Sequence, residues 1–146
     1  MIQTVAVDFD GVIHAYSDGW RDGSIYDDPV PGAIAGIKQL QKRYAVFVFT
    51  SREVHPVVMW LRMHGIGATE EDVFYPITFW DSQTVVLVTQ RKLPAVAYLD
   101  DRAVRFISWT SAVAQIEAAV TASAIAPRRH TVVVDLPDDE VDSDVS

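Results

Sequence analysis

Cysteine is absent from the chain, which excludes a disulfide framework, thiolate chemistry and cysteine-based metal sites. Histidine is scarce, and His55, His64 and His130 show no zinc-ligand spacing. No apolar stretch approaches the roughly 18 residues that would span a bilayer. Basic residues are also in short supply, with 12 Lys and Arg against 20 Asp and Glu and a net charge of −8. Neither a basic groove for nucleic acid nor a membrane-binding face follows from such a composition. The opening residues Met1-Ile2-Gln3-Thr4 carry no Lys or Arg and run straight into an expected strand, so no secretory leader is expected. Together with the missing cysteines, this sets the expectation of a cytoplasmic protein with no membrane contact and no obligate protein partner.

The acidity is unevenly distributed. Asp135, Asp138, Asp139, Glu140, Asp142 and Asp144 fall in the last twelve positions, where no basic residue occurs. Setting those six charges aside leaves −2 for residues 1–134, so the body of the chain is nearly neutral and the excess charge belongs to a tail. A hydrophobic content of 49% in 146 residues suits one compact core. The expected division is a single α/β domain over residues 1–126 and a C-terminal extension over 127–146, acidic and disordered from about residue 137.

Along the body, residues 4–9 read as a buried strand because Val5, Ala6 and Val7 form a continuous apolar run ahead of an Asp-Gly turn. Residues 11–31 have loop composition, too short for an accessory domain but long enough for a flap. Pro31 suits a first helical position, and Ile34, Ile37, Leu40 and Tyr44 then recur at helical spacing. Residues 45–49 form a second all-apolar strand. Pro56 is placed to open the next helix, with Val57, Trp60, Leu61 and His64 on one side and Gly65 to end it. Residues 84–89 and 95–99 read as further strands, whereas Phe74, Tyr75, Phe79 and Trp80 make an aromatic cluster with no assigned place. Thr110 is expected to cap a last helix carrying Val113, Ile116, Glu117 and Val120. After Pro127 the chain turns basic, then β-like at residues 131–134. Alternating strands and helices imply a parallel, Rossmann-like sheet in a three-layer α/β sandwich, with the strand order open.

Chemistry-bearing residues gather at the ends of the apolar runs. Asp8 and Asp10 close the first, Thr50-Ser51-Arg52 follows the second, Arg91-Lys92 comes next, and Asp100-Asp101-Arg102 closes the last. Parallel sheets bind ligands outside the carboxyl ends of their strands. Acids placed there need cations or hydrogen-bond donors, because an unpaired buried carboxylate costs several kcal/mol.

In this order and context, Asp8-Phe9-Asp10-Gly11-Val12, Thr50, Lys92 and Asp100-Asp101-Arg102 resemble the motifs of the haloacid dehalogenase superfamily. The resemblance spans roughly residues 4–107. It implies the fold of that family with little or no cap, and a magnesium-dependent phosphomonoester hydrolase. Asp8 would attack phosphorus to form an aspartyl phosphate. Asp10 would protonate the leaving oxygen and then deprotonate the attacking water. Thr50 would donate its hydroxyl to a phosphoryl oxygen, and Lys92 would offset the developing charge. The implied Mg²⁺ ligands are the Asp8 carboxylate, the Asp10 backbone carbonyl and one acid of the Asp100-Asp101 pair. Asp101 is favoured, as in deoxyribonucleotidases with a comparable pair followed by a basic residue. Asp100 would then orient Lys92 or a bound water.

Ser51, Arg52 and His14 are the candidate substrate contacts. For Arg52 and Arg102 the competing expectation is plain pairing with Asp or Glu, and for His14 it is a loop histidine with no function. Tyr16, Trp20 and Trp80 are either base-stacking or core aromatics. The expected partner is a small phosphorylated substrate, with a nucleotide or a polynucleotide 3′-phosphate end the first to try. Rival readings are a non-catalytic binding or regulatory module on the same fold, and a phosphotransferase to an acceptor other than water.

Overall fold

The computed structural model describes residues 1–125. The basic, β-like and acidic stretches expected from residue 127 onward lie outside the described residues. The described residues divide into two compact units, one formed by Met1–Tyr16 with Ile25–Asp101, the other by Ser17–Ser24 with residues 102–125.

The first unit holds five strands in one parallel sheet of order β3-β4-β2-β1-β5. They are β1 (Thr4–Asp8), β2 (Ala45–Phe49), β3 (Ala68–Glu70), β4 (Val86–Thr89) and β5 (Ala97–Leu99). Two helices, α1 (Ala33–Gln41) and α2 (Val54–Met63), connect the first three strands. The continuous apolar reading of β1, β2 and β4 is explained by cover on both faces. Val5, Val7, Val46, Val48, Val86 and Val88 point to one side, where they cluster with Ile37 of α1 and Val57, Val58, Trp60 and Leu61 of α2. Ala6, Phe47 and Leu87 point to the other, against Leu93, Ile77, Trp80, Ala95 and Tyr98. No helix of this unit takes part in that second cluster. Trp80 is tied down there, its indole N–H donating to the Val85 carbonyl at 3.2 Å and its own carbonyl accepting from the Thr4 hydroxyl at 2.6 Å.

Element ends depart from the pattern in explicable ways. α1 starts at Ala33 rather than at Pro31, after a turn in which the Ala33 N–H bonds to the Val30 carbonyl at 2.9 Å. α2 starts at Val54, which leaves Pro56 within the first turn, where a missing N–H costs nothing. Its far end follows the expectation. Gly65 has φ 85°, its N–H bonds to Arg62 and that of Ile66 to Leu61, each at 3.0 Å. That pairing is a Schellman stop, sealed by burial of Ile66 beside Leu61. The second unit carries α3 (Trp109–Ile125). Ser108, not Thr110, caps it, its hydroxyl accepting from the Ser111 N–H at 3.2 Å. No helix among the described residues is long and apolar enough to cross a membrane.

The sheet fixes where a ligand can sit. From β1 the chain moves outward to β2 and the edge strand β3, comes back to β4 between those two, then crosses to the opposite side of β1 for β5. The order therefore reverses between β1 and β5, and ligands of open α/β sheets bind outside the carboxyl ends at such a reversal. The register pairs Val7 with Leu99 and Asp8 with Phe49, which levels Asp8 with the start of the Asp100-Asp101 pair.

Phe47, fully buried at the centre of the second face, tests this packing. Phe47→Ala is expected to lower unfolding free energy by about 3–5 kcal/mol in urea titrations. A loss below about 1 kcal/mol would contradict the placement.

Candidate active site at the β1–β5 reversal

Gly11 begins the construction. Past β1 the chain turns at once, with the N–H groups of Val12, Ile13 and His14 all directed at the Phe9 carbonyl and the Gly11 N–H bonded to the His14 carbonyl at 2.8 Å. Gly11 has φ 85°, and a Cβ there would lie 2.3 Å from Asp101 Oδ2. Both the conformation and the space demand glycine. The Asp101 carboxylate thus rests against the backbone of the turn that follows Asp8.

Asp8, Asp100 and Asp101 each bring a carboxylate oxygen within 4.8 Å of the other two. Asp8 is half-buried and the other two are exposed. Asp8 Oδ1 accepts the Phe9 N–H at 2.8 Å. Burial raises the Asp8 carboxyl to about 7, and the Asp100 and Asp101 charges add to the rise against the lowering effect of the Phe9 N–H. An all-oxygen donor set of this spacing fits a hard divalent cation, which takes one or two carboxylates and keeps several waters.

Asp10 has the opposite environment. Its Oδ1 lies 2.8 Å from His14 Nδ1, and its Oδ2 accepts from Arg52 Nε at 2.7 Å. Burial works against its charge, but the His14 and Arg52 hydrogen bonds and the Arg52 charge outweigh burial and hold the Asp10 carboxyl below the usual range. Two carboxylates two residues apart are thereby pushed in opposite directions.

Arg52 ties this carboxylate to the Thr50 loop. It is only 5% exposed, and its backbone N–H donates to the Thr50 hydroxyl oxygen at 3.1 Å while its carbonyl accepts from the Gln90 amide at 2.9 Å. Thr50 is buried, its own N–H bonded to the Thr89 carbonyl at 3.0 Å, and its hydroxyl proton is still available for donation. Arg52 therefore takes the structural pairing role, with Asp10 as partner.

His14 is fully buried behind Asp10 rather than displayed on a loop surface. Residues 11–16 fold against residues 28–30 through Ala15 N–H to Asp28 and Val30 N–H to Ile13. Ser51 is exposed beside Thr50. The Lys92 ammonium lies 5.4 Å from the Tyr98 ring centroid and makes no ion pair among the described residues. Tyr16 faces Arg52, whose guanidinium carbon is 5.7 Å from the ring centroid. Trp80 is a core residue of the second face, while Trp20 and Arg102 belong to the second unit.

The residues that sequence reasoning missed are the supports. Thr89 accepts the Arg91 N–H at 3.0 Å and donates to Glu71 at 2.8 Å, and Arg91 pairs with Glu71. Thr89 thereby repeats at the end of β4 the turn Thr50 makes after β2. A Thr two residues ahead of an Arg at the end of each apolar run was the available signal. Nothing in the local sequence marks Glu71 or Gln90.

No protein-family model and no curated protein matches the chain. Among solved structures, a conserved protein from Bacteroides thetaiotaomicron is similar at 22% identity with a TM-score of 0.47, covering 87% of this chain and 100% of its own.

The raised Asp8 carboxyl carries a signed consequence. Its folded-state value lies above the ordinary 3.8, so the native state retains a proton that the unfolded chain has lost, and the Asp8 contribution destabilises the cation-free protein progressively from about pH 4 to 7. In EDTA at pH 8, Asp8→Asn is expected to melt a few degrees above the parent, with the gap closing toward pH 4. Magnesium should stabilise the parent and not the variant. An Asp8→Asn protein that melts lower than the parent at pH 8 would contradict the assignment.

Proposed function

We propose that the chain is a magnesium-dependent phosphatase of haloacid dehalogenase type. Its reaction would be hydrolysis of a phosphate monoester through an aspartyl phosphate on Asp8, with a nucleotide or a polynucleotide 3′-phosphate end as the substrate class. The observation that carries this reading is the convergence of Asp8, Asp100 and Asp101 within 4.8 Å at the sheet reversal, beside an Asp10 held apart by its own cationic partner. The sequence motifs supply the chemical assignment. The three-layer α/β sandwich of that fold type belongs to the same reading, and so does a cytoplasmic location.

Phosphate esters resist attack because an anionic centre must be approached by a nucleophile while a poor alkoxide leaves. Asp8 suits the nucleophilic role, since the Phe9 N–H fixes one of its oxygens and leaves the other for phosphorus. A hard divalent cation held by the Asp8 carboxylate, the Asp10 backbone carbonyl and Asp101 would neutralise charge on the nucleophile and the phosphoryl oxygens. Asp101 is the better candidate than Asp100 for direct ligation because its carboxylate rests on Gly11. Asp100 would orient the cation's water or Lys92. Thr50 would donate to a phosphoryl oxygen from a turn already set by Arg52. Lys92 would leave the Tyr98 face to meet the phosphoryl charge, and exposed Ser51 would border the substrate.

Asp10 would act twice. In the first step it gives a proton to the leaving oxygen as the P–O bond breaks. In the second it takes a proton from the water that attacks the aspartyl phosphate, releasing inorganic phosphate and restoring Asp8. Its depressed carboxyl favours the second role over the first. Substrates with good leaving groups should accordingly depend less on Asp10.

Release of inorganic phosphate from an aryl phosphate and a nucleotide panel, with magnesium or EDTA, tests the proposal. Magnesium-dependent turnover lost by at least about 10³-fold in Asp8→Asn is expected. Asp10→Asn should cost about 10²–10⁴-fold on alkyl phosphates and less on the aryl ester. A folded protein that binds magnesium but turns over nothing would favour a binding module, and phosphate appearing on an added alcohol in place of water would favour a phosphotransferase.

A further inference from the structure

We propose that His14 is a positioning residue, a neutral imidazole with its proton on Nδ1 that aims the Asp10 carboxylate. The inference rests on the acid–base role of Asp10 proposed above. It adds a residue that touches neither phosphate nor cation.

The backbone N–H of Asp27 donates to His14 Nε2 at 3.1 Å, so that nitrogen presents a lone pair and carries no hydrogen. The one ring N–H of a neutral imidazole then sits on Nδ1, which lies 2.8 Å from Asp10 Oδ1. His14 therefore donates to Asp10 and accepts from Asp27, a fixed sense of donation that a ring flip would break at both ends. The ring is also held sterically. It is fully buried, stacked on Phe9 at 5.5 Å and 20°, and met edge-on by Tyr26 at 5.2 Å and Trp60 at 5.9 Å.

Asp10 is thus gripped from two directions by partners of different origin. His14 comes from the turn that Gly11 permits, and Arg52 from the loop after β2. With Oδ1 engaged by His14 and Oδ2 by Arg52, the plane of the carboxylate is fixed, while the side chain remains 20% exposed. Positioning of this kind governs kcat, because a misaligned acid–base group forfeits rate without altering ground-state contacts.

Two substitutions separate aiming from mere core packing. His14→Asn keeps a donor at the distance of Nδ1 and loses the acceptor facing Asp27. His14→Gln keeps an acceptor near Nε2 and loses the donor to Asp10. Both should lower thermal stability. We expect His14→Asn to retain kcat within about fivefold and His14→Gln to lose about 10²-fold with KM little changed, the range for acid–base groups. Equal kcat for the two variants would overturn the inference. A second readout does not need turnover: ¹⁵N NMR of the imidazole should show Nδ1 protonated and Nε2 bare, and a proton on Nε2 would overturn it. A parent protein inactive on every substrate would count against the proposed function, while the nitrogen shifts would still decide the His14 to Asp10 clamp.

Discussion

Mutual repulsion among Asp8, Asp100 and Asp101 is the constraint on which the rest of the site depends. Parallel pairing of β1 with β5 levels Asp8 with the acidic pair, and a glycine at position 11 lets Asp101 close in from the side. The sheet therefore gathers three carboxylates at one place, and the Asp8 carboxyl responds: burial raises it first, and the Asp100 and Asp101 charges raise it further. A packing-driven design would place apolar or hydrogen-bonding residues at these strand ends, as it does everywhere else along β1, β2 and β4.

The contrast with Asp10 explains how two acids two residues apart can take different roles. Side-chain direction alternates along β1, and the turn after Phe9 redirects the chain, so Asp8 meets the acidic pair of β5 while Asp10 meets Arg52 and His14. Divergent environments of neighbouring carboxyls are the usual way for one site to hold separate nucleophilic and proton-transfer groups. The supports run outward from there. Arg52 joins Asp10 to the Thr50 turn, Gln90 holds the Arg52 carbonyl, and Thr50 is bonded to β4 through Thr89.

Much of this was legible in the residue order. Val5-Ala6-Val7 and Ala45 through Phe49 read as strands covered on both faces, and Asp8, Thr50 and Asp100 each follow an apolar run at once, so residue order alone implies that they share one sheet edge, although β5 ahead of Asp100 is itself largely exposed. Gly65 marked the end of α2 correctly because a left-handed stop has few other residues to choose from. The limits were non-local. β3 is three residues, Ala68–Glu70, too short for alternation to register. The segment around Ile77 and Trp80 covers a sheet face without a helix, and no periodicity announces that. His14 looked like a loop residue because its surroundings, Phe9, Tyr26, Asp27 and Trp60, are assembled from distant parts of the chain. Arg52 was readable as a pair for some acid, but only the fold selects Asp10.

The proposed chemistry needs a cation at the carboxylate cluster and a phosphoryl group carried on Asp8. Beryllium fluoride mimics an aspartyl phosphate, and ¹⁹F NMR of the protein with magnesium and beryllium fluoride reads both at once. A bound fluoride signal is expected that requires magnesium and disappears in Asp8→Asn and in Asp101→Asn. A parent protein that binds magnesium yet shows no bound signal, or a signal that survives Asp8→Asn, would overturn the proposal.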